Sequence, residues 1–140
     1  MRSVDNTAVG DVLPPLERRL EQGDLIRYAG ASGDYNPLHW DPGFAARVSP
    51  TGGVIAHGML NMGLVSEVVT RWAGGPEHVT RLDVTFRKPC PVGTKVTVGG
   101  EVTDVDAETG TVTLRVWVEG PAGERLVDRR RSSAVVRLPT

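Results

Sequence analysis

One cysteine in 140 residues excludes an intrachain disulfide, so nothing in the chain asks for an oxidising compartment. That residue, Cys90, stands between Pro89 and Pro91. It sits in a constrained bend, with no motif that marks a nucleophile. No apolar run approaches membrane-spanning length, and Met1–Asn6 lacks the hydrophobic core of a leader. A cytoplasmic location is the expectation. Charge of one sign is missing too. Sixteen Lys and Arg face 17 Asp and Glu for a net charge of −1, so no overall field draws nucleic acid or an anionic membrane. Aromatic residues are scarce at 5% and apolar residues lean at 39%, yet the length suffices for one domain, residues 1–140, with a core of its own. Abundance lies in 17 glycines and ten prolines, the composition of a turn-rich sheet protein.

The chain divides by periodicity. Met1–Asn6 is expected to be a frayed arm, and Val12–Leu20, with Pro14-Pro15, an edge strand. Asp24 precedes Leu25, Ile26, Tyr28 and Ala29, which predicts a short helix from about Gly23 to Ala31. Phe44, Ala45, Ala46 and Val48 predict one or two further helical turns. Ile55–Trp72 is the longest regular segment, apolar nearly all round and therefore a buried helix, the only one expected. Gly74-Gly75-Pro76 stops it. From Thr80 onward the period is two, through Val84 and Phe86, Val96 and Val98, Val112–Val118, and a last strand from about Arg125 to Leu138. The sum is an α+β protein with four or five antiparallel strands around one long helix, the later four joined consecutively. Such a sheet leaves edges and a face that a second copy would complete.

The densest chemistry lies in Ser32-Gly33-Asp34-Tyr35-Asn36-Pro37-Leu38-His39-Trp40-Asp41. Gly33 opens backbone angles closed to other residues, and Pro37 pushes Asn36 out of the helical region. The result is a bent loop on which Asp34 and His39 can converge, as paired proton transfer requires. Equally, Asp34 or Asn36 could close Asx-turns, and a histidine between Leu38 and Trp40 could simply pack.

The run Tyr28–Asp41 resembles the signature of the MaoC-like (R)-specific enoyl hydratases and dehydratases: an aromatic, Ser-Gly-Asp, Asn-Pro, an aliphatic residue, His, any residue and Asp. A second block, Ala56-His57-Gly58-Met59, resembles that family's Ala-His-Gly-Met. The likeness extends through Val9–Pro14 and Phe86-Arg87-Lys88-Pro89. Ala56–Gly63 and Val79–Phe86 further resemble HadB-type catalytic subunits of (3R)-hydroxyacyl-ACP dehydratases. The resemblance implies a hot-dog fold, an antiparallel sheet wrapped around one central helix. It also implies a hydro-lyase that interconverts trans-2-enoyl and (3R)-hydroxyacyl thioesters of CoA or acyl carrier protein, without a cofactor. Asp34 and His39 would be the catalytic pair, with Asn36 orienting their loop. The Gly58 amide would bind the thioester oxygen, Ser66 would lie near the site, and His57 and Asp41 would support it. A homodimer, or a heterodimer with a related hot-dog subunit, is implied as well.

The residue types suit that chemistry. Hydration of an enoyl thioester moves a proton from water to C2 while negative charge gathers on the thioester oxygen. One preorganised donor there contributes about 2.7–4 kcal/mol. The first turn of a helix offers free amides and a positive dipole end, and a glycine lets substrate approach them. An imidazole exchanges protons near neutrality. His39 and His57 with Asp34 or Asp41 could bind zinc in principle, but no His-x-x-x-His or paired-cysteine spacing supports a metal. His57 reads as a structural residue whose ring bonds nearby backbone, and His78 as a solvated loop residue. Arg129 and Arg131 would share one strand face, suited either to CoA phosphates or to plain solvation. Met59 and Met62 read as core. Two rivals remain: a thioesterase of the same fold, for which Glu67 is the one acidic residue on the central helix, and a non-catalytic acyl-binding subunit of a heterodimer.

Overall fold

The computed structural model describes residues 2–140. Its strands are β1 (Leu16–Arg19), β2 (Val79–Asp83), β3 (Lys95–Asp106), β4 (Thr111–Glu119), β5 (Arg125–Val127) and β6 (Ser133–Arg137). Its helices are α1 (Gln22–Ser32), α2 (Pro42–Val48) and α3 (Gly58–Ala73), with single 3-10 turns at Val4–Asn6, Pro37–His39 and Pro76–His78. The strands form one antiparallel sheet in the order β1-β3-β4-β6-β2, with β5 also on β4. One long helix packed on one antiparallel sheet is the hot-dog arrangement.

Two expectations about the sheet change. The later strands are not joined consecutively: β2 lies at the far edge beside β6, the last strand. Nor is the chain from Arg125 to Leu138 a single strand. Asp128 accepts the amide of Arg130 at 2.9 Å and turns the chain between β5 and β6. Arg129–Arg131 therefore lie in a turn, not along one strand face, and the Arg129 guanidinium stacks 3.7 Å over the Trp117 ring. That indole explains a glycine in mid-strand, since a Cβ on Gly99 would meet it at 2.6 Å.

Helix α3 begins at Gly58 rather than near Ile55, because residues 54–56 are drawn into extended pairing. Ala56 donates its amide to the Cys90 carbonyl at 2.7 Å, and Val92 donates to Val54 at 3.0 Å. His57 thereby becomes the N-cap residue. Gly74, at φ 94°, ends the helix in the left-handed conformation. Leu64, Val65, Val68, Val69 and Trp72 pack into one cluster with Val96, Val98, Val112, Leu114 and Val116 of the sheet. Each fully buried valine there contributes about 1.5–3 kcal/mol. The helix is not buried all round, however: Met59 is 54% exposed and does not belong to the core. The N-terminal arm is docked, not frayed. Val4 is buried and donates its amide to Pro139 at 2.9 Å, while Met1 lies outside the described residues. Among those residues no helix is long and apolar enough to cross a membrane.

Candidate active site

Gly33, at φ 77°, closes α1 and turns the chain into the loop. A series of short side-chain bonds then fixes the backbone. Asp34 Oδ1 accepts the Asn36 amide at 3.2 Å, and Asn36 Oδ1 accepts the Leu38 amide at 3.0 Å. Asp41 Oδ1 accepts the amides of Gly43 and Phe44 and so starts α2. Asn36 and Asp41 are thus turn and cap residues that shape the loop. One oxygen of Asp34 closes a turn, and the other faces His39.

His39 is buried, and its ring is held from behind. Its Nδ1 lies 2.6 Å from the Ile55 carbonyl. A carbonyl only accepts, so Nδ1 carries the hydrogen and Nε2 of the neutral ring presents a lone pair. That Nε2 stands 3.8 Å from Asp34 Oδ2, whose side chain is half exposed. Gln22 anchors the same turn by donating to the His39 carbonyl at 2.8 Å. Nothing in the sequence pointed to Gln22 or to the Ile55 carbonyl, since both act across the fold.

His57 stacks on His39 with ring centroids 3.8 Å apart and planes at 23°. Tyr28 meets the other side of His57 edge-on at 4.7 Å. His57 Nε2 donates to the Asp34 carbonyl at 3.2 Å. Burial pushes this imidazole below its usual pKa, against the opposing pull of the Asp34 carbonyl. His57 is therefore a neutral ring that bonds backbone, with Nδ1 buried and without a hydrogen-bond partner among the described residues.

Gly58 opens α3, and the first amides of a helix have no acceptor within it. The Phe86 ring lies 3.3 Å from where a Gly58 Cβ would stand, so a side chain here would crowd that ring. His39, Ile55, Gly58, Asn61, Phe86 and Cys90 line a cleft of about 240 Å³ there, continuing past Arg87 and Lys88. His39 and Gly58 thus share the cleft, while Asp34 does not line it and reaches the site only through His39, 3.8 Å away. Ser66 is half buried, eight residues beyond Gly58 and about 12 Å further along the helix axis, and does not line the cleft. Glu67 is tied to Arg71 at 2.5 Å and also stays outside it. His78 is not simply solvated, since its Nδ1 bonds the Arg137 carbonyl at 2.9 Å.

One ligand atom each from Asp34, His39 and His57 lies within 4.8 Å of the others, close enough for a metal ion by distance alone. The stacked imidazoles argue against one, since the lone pairs of near-parallel rings 3.8 Å apart run side by side instead of converging.

Residues 5–120 match the MaoC like domain. The chain is 33% identical to the (R)-specific enoyl-CoA hydratase of Aeromonas caviae over 131 residues, 89% of this chain and 90% of that one. The solved structure of the (R)-hydratase from A. caviae involved in PHA biosynthesis superposes with a TM-score of 0.86 at 31% identity, covering 96% of this chain and 98% of that one. The match to the 3-hydroxybutyryl-CoA dehydratase of Methylorubrum extorquens is 36% identical over 66% of this chain, and it spans 59% of that relative's length. A chain of the ChsH1-ChsH2 complex from Mycobacterium tuberculosis superposes with a TM-score of 0.81 at 26% identity, covering 94% of this chain and 98% of that one. With the family match running over most of its length and the signature loop folded around one cleft, the chain belongs to the MaoC-like domain family.

Proposed function

We propose that this chain is an (R)-specific hydro-lyase that interconverts trans-2-enoyl and (3R)-hydroxyacyl thioesters by syn addition and elimination of water. The observation that carries the reading is the facing of two acceptors. His39 Nε2 and Asp34 Oδ2 stand 3.8 Å apart, and neither donates when the ring is neutral and the acid ionised. A water molecule or a C3 hydroxyl satisfies both at once by donating. In hydration, the water oxygen bonds to C3 as one of its protons passes to this pair. The Gly58 amide meets the enolate oxygen. The same proton then returns to C2 from the same face, which leaves both groups as they began and makes the addition syn.

The carrier is an acyl thioester of CoA or of acyl carrier protein, which we place along the mouth of the cleft past Phe86. Lys88 donates its amide to the Arg125 carbonyl at 3.1 Å, and the two residues line one surface hollow together with Arg87 and Glu124. Three cations there against one carboxylate suit a phosphate. Arg87 is already paired with Asp128 at 3.2 Å. Lys88 and Arg125, not Arg129 and Arg131, are our candidates for the carrier phosphate. Tyr35, Trp40, Met59 and Phe86 are large, exposed apolar side chains that a second copy, or a related hot-dog subunit, would cover. The compartment we propose is the cytoplasm, in keeping with the free buried thiol of Cys90.

The test is hydration of crotonyl-CoA, followed by loss of enoyl absorbance beside a free-thiol assay. Absorbance loss without thiol supports the proposal. Thiol release alone favours the thioesterase, and activity only with an added partner favours the heterodimer subunit. The ion pairing of Glu67 with Arg71 speaks against the thioesterase.

A further inference from the structure

Helix α3 carries a second polar side chain at the cleft that the proposed chemistry does not use. Asn61 follows Gly58 by three positions, which puts both on one helical face. It is only 3% exposed yet lines the cleft. Cys90, itself 2% exposed, lines the same cleft, while Asn61 Oδ1 is buried without a hydrogen-bond partner among the described residues. Burial raises the Cys90 pKa and keeps the thiol neutral.

Asn61 and Cys90 both line the cleft. Met62 and Ser66, further along the helix, do not line it. Its volume of about 240 Å³ falls below the roughly 300–1,000 Å³ usual for ligand pockets. The carrier arm leaves past Phe86, Arg87 and Lys88, so the acyl group points toward Ala56, Asn61 and Cys90. A buried carbonyl without a donor accepts a water or a hydroxyl as neighbour, but alkyl carbon leaves it unpaired.

We propose that Asn61 and Cys90 form a polar end wall to the acyl site, and that Asn61 restricts the enzyme to short acyl groups, four carbons in preference to eight. The inference rests on the acyl-thioester reading and adds chain length to it.

The full-length protein is assayed for kcat/KM on four-, six- and eight-carbon trans-2-enoyl-CoA. Equilibrium binding of butyryl-CoA and octanoyl-CoA is measured by calorimetry. Wild type should favour four carbons over eight by about tenfold or more, the scale of one unmade hydrogen bond. Asn61→Leu, which keeps bulk but removes polarity, and Asn61→Ala, which also opens space, should each raise the eight-to-four ratio by about tenfold. Equal or better use of eight carbons by wild type overturns the proposal, as does an unchanged ratio in both variants. Should neither variant fold, the wild-type profile decides. Should the chain hydrate nothing, the binding preference still tests the end wall, while the hydratase reading alone falls.

Discussion

The imidazole of His39 lies stacked on that of His57, with centroids 3.8 Å apart, and the two rings have opposite duties. His39 is bonded at Nδ1 and offers Nε2 to the cleft. His57 spends Nε2 on the Asp34 carbonyl. The second ring thus fixes the backbone of the acid whose carboxylate faces the first.

Substituting the facing pair should stop turnover without unfolding the protein. Asp34→Asn and His39→Gln should each lower kcat by about 10²–10⁴. The double variant should fall little further, because the two groups handle one proton together. Stopped-flow hydration of crotonyl-CoA, beside thermal melts, checks both halves of this expectation.

Gly58→Ala separates stability from catalysis. The new Cβ would meet Phe86 at 3.3 Å, so the ring must shift by a few tenths of an ångström and crowd the amide. Alanine favours helix by about 1 kcal/mol over glycine, which offsets that crowding in the fold. Urea midpoints should therefore change little while kcat/KM drops by roughly 10²–10³, the scale of losing one donor to the developing oxyanion.

Asp41 should behave in the opposite way. It caps α2 through two amides and does not line the cleft. Asp41→Ala should cost about 0.5–2 kcal/mol in urea unfolding, with kcat of the folded enzyme reduced by less than about tenfold.

Histidine 57 makes stability depend on pH. Burial above all holds its folded pKa below the unfolded value, which is about 6.5. Between the two values the unfolded chain binds more protons than the native protein, so stability is lost as pH falls below about 6.5. The other ionisable groups against the ring, His39, Asp34 and Tyr28, are the same in wild type and variant. Urea midpoints at pH 7.5, 6.5 and 5.5 should decline, and His57→Gln should flatten the decline.

Charge at the mouth should matter only for a phosphorylated carrier. Lys88→Glu and Arg125→Glu should raise KM for crotonyl-CoA about tenfold or more at low salt. KM for the N-acetylcysteamine thioester, which has no phosphate, should stay unchanged. The contrast should shrink as ionic strength rises.

Much was legible in the chain itself, because local rules act within a few residues. The Gly33 turn, the Asx-turns of Asp34 and Asn36, the stop at Gly74 and the alternation of Val112–Val118 all follow from spacing and backbone preference. The resemblance carried by Tyr28–Asp41 and Ala56–Met59 named the family and the pair Asp34 and His39. What the spacing could not say depended on partners far away in sequence. The start of α3 moved to Gly58 because Ala56 pairs with Cys90, and β2 moved to the far edge because it pairs with β6. The tautomer of His39 is set by a carbonyl 16 residues away, and Asn61 shares its cleft with Cys90 of another segment. Sequence determined which groups are present and how each turn bends. Only the folded sheet, closing around one helix, decided which of them face each other, because long-range pairing leaves no period in the chain.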